Sequence, residues 1–239
     1  MSTENSPESD GSVVLVIARD EAERIAETVR AARTAFDGAR IVVVDGGSAD
    51  DTAAEAVGAD AELVRAGTHG GKGASATLAA RRELAEEGSG DRMFVLCDGD
   101  LGGSAAHLGP LAEAVAGGRC DLAVAAFATK RGGGFGFAVG FARWAVRSLT
   151  GLELRAPISG QRAMRGSTLA RLLPFASGFG METAMTIDAA RAGLVVGEVE
   201  LDLEHRATGR DLGGFLHRAR QLASFVRVYV SRRLGSRRR

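Results

Sequence analysis

The sequence predicts an α/β fold, a Rossmann-like and mostly parallel sheet flanked by helices. Three observations predict it. Apolar runs of strand length recur at residues 12–18, Arg40–Asp45 and 92–97, and they are continuous rather than alternating, as in strands covered on both faces. Segments with helical spacing separate these runs. Polar residues gather just after the strands, at Arg19 to Glu21, Asp45 to Ser48 and Asp98 to Asp100. A parallel sheet with right-handed crossovers binds ligands there, beyond the carboxyl ends of its strands.

The elements follow in order. Residues 12–18 (SVVLVIA) form the first strand, and residues 20–34 form a helix with Ile25, Val29 and Ala32 on one face. Arg40–Asp45 is the second strand, and Ser48 and Asp50 can cap the short helix after it. A weaker third strand covers 61–65, a helix 73–87, and a fourth strand 92–97, ending at Asp98. A helix over 107–116 leads to a strand over 120–126. The second half is less regular. A glycine-rich run from Arg131 to Gly136 precedes a helix carrying Phe141, Trp144, Val146 and Leu149. A short strand at 158–164, a short helix at 168–173, a helix at 182–191, a strand at 195–203 and a long amphipathic helix at 210–232 complete the chain. Residues 1–11 read as a disordered leader, 12–234 as a single domain and 235–239 as a basic tail.

Composition narrows the function classes. The 239 residues carry 30 basic and 30 acidic side chains, a zero net charge that argues against a dedicated nucleic-acid binder. Cys97 and Cys120 sit in apolar runs and read as reduced, structural thiols. The N-terminus lacks a signal-peptide pattern, and no apolar run approaches the roughly 20 residues that span a bilayer. The expectation is a soluble cytoplasmic protein, at most peripheral at the inner membrane face.

Four motifs carry candidate chemistry. Asp98-Gly99-Asp100 ends an apolar strand, so its carboxylates can face one hard cation such as Mg²⁺ or Mn²⁺; a plain turn is the competing reading. Asp45-Gly46-Gly47-Ser48 is turn chemistry before a helix, which leaves unexplained why Asp45 closes the strand. Lys72 stands in Gly70-Gly71-Lys72-Gly73 at a predicted helix start. That run fails the P-loop pattern, because Ala66 replaces the first glycine and Gly73 replaces Ser/Thr. Lys72 can still meet a diphosphate, or simply be solvated. His205 follows the last strand and can be a structural histidine or a third metal ligand.

The order of these motifs resembles a known family. VLVIARDEAERI, VVVDGGSADDT, GKGAS and FVLCDGDL occur in the order typical of glycosyltransferase family 2 and its GT-A-fold relatives. The segments PISGQRAMR, LLPFASGFGMETAMTIDAARAGL and EVELDLEHR look like the glucosyl-3-phosphoglycerate synthases. The resemblance implies a GT-A-type fold and a metal-dependent transfer of a sugar from a nucleotide-sugar, a UDP-sugar. By it, Ala18, Arg19, Glu21, Asp45 and Ser48 would hold the nucleoside, and Lys72 would approach the diphosphate. Asp100 and His205 would ligate Mg²⁺ or Mn²⁺, with Asp98 beside them. Glu182 would contact the donor sugar.

Charge developing on the departing diphosphate needs a cation near Asp100 and Lys72. An inverting mechanism would also need a base, which Glu182 or Asp211 could supply; the resembled synthases retain configuration. The acceptor region departs from the synthases. Phe135 and Phe137 stand where they carry an arginine and a threonine, and Ala207 and Thr208 replace polar residues. The expected acceptor is therefore not 3-phosphoglycerate but a more apolar or aromatic molecule. Competing readings are a polyprenyl-phosphate glycosyltransferase working on a lipid-linked acceptor at the membrane surface, a nucleotidyltransferase, and a non-catalytic nucleotide-sugar-binding protein. A homodimer is compatible with all of them.

Overall fold

A computed structural model describes residues 11–68, 70–86, 88–127, 136–203 and 212–235. Its first half is a run of alternating strands and helices: β1 (Val13–Ala18), α1 (Ile25–Ala35), β2 (Arg40–Asp45), α2 (Thr52–Gly58), β3 (Glu62–Arg65), α3 (Gly71–Leu84), β4 (Met93–Asp98), α4 (Gly109–Ala116) and β5 (Leu122–Phe127). The second half adds α5 (Gly136–Thr150), β6 (Arg162–Arg165), α6 (Gly166–Leu172), α7 (Met181–Arg191), β7 (Val196–Leu201) and α8 (Leu212–Gly235).

The strands form one seven-stranded sheet in the order β3-β2-β1-β4-β6-β5-β7. β6 runs antiparallel to β4 and β5, and the other pairs are parallel. This is the mostly parallel α/β sheet that the apolar runs predict. β1 lies inside the sheet and is buried along its whole length. Its residues alternate between two cores. Val14, Val16 and Ala18 pack with α1 and α4, while Val13, Leu15 and Ile17 pack with α3, α6 and α7. A strand with helices on both faces has no solvated side, which is why the run is continuous rather than alternating.

Two local expectations differ from the structure. The first helix begins at Ile25, not near Asp20. Residues 20–22 are held out of it because their amides donate to Ser48, Asp50 and Thr52 side chains, and Asp20 adopts a left-handed φ of 57°. The strand expected at 158–164 is shorter and shifted, at Arg162–Arg165. Ser159 donates its amide to Ala156 in a turn just before it. Cys97 and Cys120 are free and buried, as expected. Among the described residues, no helix is long and apolar enough to cross a membrane.

Candidate functional site

The register of the sheet builds the site. β1 lies between β2 and β4, with Ala18 opposite Asp45 and Ile17 opposite Asp98. Neighbouring strands lie about 4.8 Å apart, so the two aspartates flank the end of β1 on either side. Each of those strands ends in a carboxylate because the apolar core stops there and the backbone emerges at the carboxyl edge.

On the β2 side, two loops are stitched together. Asp45 Oδ1 accepts the Ser48 amide at 2.9 Å and its hydroxyl at 2.6 Å. Ser48 Oγ in turn accepts the Asp20 amide at 3.0 Å, and Asp20 Oδ1 accepts the Ala49 amide at 2.8 Å. Glu21 and Ala22 donate their amides to Thr52 Oγ1 (2.8 Å) and Asp50 Oδ2 (3.1 Å). The expected capping role of Ser48 is therefore replaced: its hydroxyl serves Asp45 and the first loop. Asp50 still meets the first turn of α2, accepting the Thr52 amide at 3.0 Å. The Thr52 hydroxyl and these amides hold the Asp50 carboxyl below its usual range. These bonds tie the loop after β1 to the loop after β2 and bring Ala18, Arg19, Glu21, Asp45 and Ser48 to one edge of the sheet.

On the β4 side, α1 fixes the Asp98-Gly99-Asp100 turn. Thr28 Oγ1 donates to the Gly99 carbonyl at 2.8 Å and accepts the Gly102 amide at 2.8 Å. Arg24 donates to the Asp100 carbonyl at 2.9 Å. Gly99 is required by space, since a Cβ there would lie 2.8 Å from that of Ala18.

The centre of the site is a charge cluster. Lys72, in the first turn of α3, places Nζ 2.5 Å from Asp98 Oδ1 and 2.6 Å from Glu182 Oε1. Burial alone would lower the Lys72 pKa, but the two carboxylates outweigh it and keep the ammonium charged well above its ordinary range. Gln161 donates to Asp98 Oδ2 at 2.9 Å and accepts from Ser159 Oγ at 2.9 Å. Below lies Arg162, fully buried, which donates to the carbonyls of Ser159 and Pro157 and to Thr186 Oγ1. Desolvation lowers its pKa to about 10 against the opposing pull of Glu182 and Asp98, so it stays cationic at neutral pH. Burial, reinforced by Asp98 and Asp100, pushes the Cys97 thiol well up, so it is not a nucleophile here.

Several expected site residues thus come together: Asp98, Lys72 and Glu182 in direct contact, with Ala18, Arg19, Glu21, Asp45, Ser48 and Asp100 on the adjoining turns. Phe135, His205, Thr208 and Asp211 lie outside the described residues, as does the side chain of Phe137. Among the described residues, no three His, Cys, Asp or Glu side chains cluster as a complete metal site. The carboxylate oxygens of Asp98 and Asp100 are nevertheless the hard donors that Mg²⁺ or Mn²⁺ takes. Sequence reasoning missed Gln161, Arg162, Thr28 and Arg24. Arg162 had a signal, an arginine in an expected strand; the others had none, because their partners in the site are far along the chain, 63 residues for Gln161, 71 and 74 for Thr28 and 76 for Arg24.

Comparison with known proteins agrees with this architecture. Residues 13–166 match the profile of the family described as Glycosyl transferase family 2. Solved structures of glucosyl-3-phosphoglycerate synthase from Mycobacterium tuberculosis share the fold. One, in complex with Mn²⁺, uridine diphosphate and glucosyl-3-phosphoglycerate, is 23% identical with a TM-score of 0.73, covering 93% of this chain and 80% of that one. A second, with Mg²⁺ and uridine diphosphate, is 24% identical with a TM-score of 0.73, covering 93% of this chain and 79% of that one. No curated protein sequence matches the chain.

The cluster makes Lys72 indispensable for charge balance. Lys72→Met should leave Asp98 and Glu182 facing each other without their shared cation. We expect a loss of about 2 kcal/mol in stability, discounted for the partly exposed ammonium, read by denaturant unfolding. A variant as stable as the wild type would show that the cluster does not hold the fold.

Proposed function

Because the chain belongs to glycosyl transferase family 2, we propose that this edge of the sheet binds a nucleotide-sugar, a UDP-sugar, together with Mg²⁺ or Mn²⁺. The chain is a glycosyltransferase. The observation that carries the finer reading is the contact of Asp98, Lys72 and Glu182, from the end of β4 and the starts of α3 and α7, at the same sheet edge as Asp45 at the end of β2. Mn²⁺, Mg²⁺ and uridine diphosphate in the structurally similar synthases support it.

Each residue has a role in this reading. Asp45, oriented by Ser48, reads the base, and Ala18, Arg19 and Glu21 line the nucleoside. Asp100 and His205 would hold the cation, with Asp98 beside them. A bound divalent cation supplies positive charge to the departing diphosphate. Lys72 exchanges a carboxylate for a diphosphate oxygen, so the leaving group's charge is met without a new cation being brought from water. Glu182, buried at the start of α7, faces the donor sugar from the far side of Lys72. Asp211 is the second candidate base, should the transfer invert.

Asp100→Ala should abolish metal-dependent binding of uridine diphosphate while leaving the fold intact. Titration calorimetry with UDP, GDP and ADP should rank UDP first by about tenfold, about 1.4 kcal/mol. Equal binding in excess chelator, or a preference for GDP or ADP, would count against the reading.

The acceptor differs from that of the synthases. Phe135 and Phe137 offer neither charge nor hydrogen bonds to a phosphate or carboxylate, and an unpaired buried anion costs several kcal/mol, roughly. With UDP-glucose and 3-phosphoglycerate, the purified enzyme should release little UDP above its background. Efficient turnover of that pair would refute the argument.

A lipid-linked acceptor is favoured by one surface feature. Trp144 is 51% exposed and packs on Tyr229 at 4.7 Å and Phe141 at 5.4 Å. Arg143 and Arg147 line the adjoining groove, and Arg233 stacks over Tyr229. An exposed aromatic patch with arginines at its rim, one of them paired with Glu153, suits the headgroup level of an anionic lipid surface. Trp144 is the only tryptophan, so its emission should shift to the blue on adding phosphatidylglycerol vesicles at low salt and revert at high salt. An unshifted spectrum would leave a soluble acceptor as the better assignment.

A further inference from the structure

Gln161 stands in the segment PISGQRAMR but has been given no role so far, yet it is 2% exposed and bonded to Asp98. It lies one residue before β6, the antiparallel strand inserted between β4 and β5. Leu96 pairs with Arg162, and continuing that register brings Gly160 opposite Asp98. Gly160 has no room for a side chain: a Cβ there would overlap the Asp98 carboxylate. The carboxylate is thus packed closely against the Gly160 backbone and bonded by Gln161 through the same oxygen, Oδ2. Ser159, 4% exposed, fixes which way the Gln161 amide points, because its hydroxyl donates to Oε1 and leaves Nε2 as the donor to Asp98 Oδ2. Arg162 then ties the same turn down through the Ser159 and Pro157 carbonyls and reaches Thr186 on α7, one turn after Glu182.

We propose that Gln161 is a positioning residue: with Ser159 it holds one oxygen of Asp98 so that the other grips Lys72, keeping the ammonium between Asp98 and Glu182 where the donor diphosphate arrives. The relay runs from Ser159 through Gln161, Asp98 and Lys72 to Glu182, on a floor set by Arg162. The donor part of this assignment rests on the nucleotide-sugar reading above; the grip on Lys72 does not. An apolar residue at 161 would leave Asp98 Oδ2 without its partner and free the carboxylate to rotate away from Lys72.

Lys72 and Lys130 are the only lysines, so amine-reactive labelling followed by mass spectrometry reports Lys72 with an internal reference. The variants are Gln161→Leu and the milder Ser159→Ala. Both should melt close to the wild type, with Lys72 labelled about fivefold faster relative to Lys130 in Gln161→Leu and by a smaller factor in Ser159→Ala. Calorimetry with UDP and Mn²⁺ should show about tenfold weaker binding in Gln161→Leu, the scale of one hydrogen bond to a charged group. A role in stability alone would lower the melting point without changing the Lys72 to Lys130 ratio. Unchanged Lys72 labelling in either folded variant overturns the relay. If Gln161→Leu fails to fold, Ser159→Ala alone decides by the same ratio. Wild-type protein that binds no nucleotide would overturn the donor-site reading, while faster Lys72 labelling in the variants would still establish the grip.

Discussion

An ammonium shared by two carboxylates from distant parts of the chain is the constraint on which the site depends. Asp98 ends β4 and Glu182 begins α7, and both lie against Lys72. Asp98, 29% exposed, and Glu182, 6% exposed, repel each other across the site unless a cation sits between them, and removing it leaves on Glu182 a charge that its surroundings solvate poorly. Everything near the cluster serves that balance. Arg162 lies beneath it, Gln161 holds the back of Asp98, and the turn at Gly160 is stripped to backbone so that the carboxylate fits.

The same economy holds on the β2 side. Loop residues after β1 and β2 have no core of their own, so their shape depends on side chains accepting backbone amides across the gap. Asp20, Ser48, Asp50 and Thr52 do this reciprocally. Such cross-bonded loops keep their conformation before a ligand arrives, which reduces the ordering cost of binding. The turn after β4 is held differently, from above by Thr28 and Arg24 of the α1 region. Helix α1 therefore does two jobs: one face fills the core, and its first turns steady the carboxylates.

Family membership and fold similarity have different reach here. The family profile covers residues 13–166, which include β1 to β6 and the turn Asp98-Gly99-Asp100. Over 93% of its length the chain shares the fold of the synthases at 23–24% identity.

Sequence by itself determined the sheet's class and the place of the site. Short, continuous, β-branched apolar runs separated by helical spacing point to parallel strands covered on both faces, and carboxylates that end such strands emerge at one edge; Asp45 and Asp98 were legible for that reason. Lys72 and Glu182 were legible as members of a resembled pattern, not as contacts. Only the tertiary structure decided that they touch, that Ser48 serves Asp45 rather than a helix cap, and that β6 enters antiparallel between β4 and β5. It alone revealed Gln161 and Arg162 as neighbours of Asp98 and Glu182. Hydrophobic periodicity records which face of an element is buried, whereas partners 63 and 110 residues apart are chosen by how the elements pack, and that choice leaves no periodic trace along the chain.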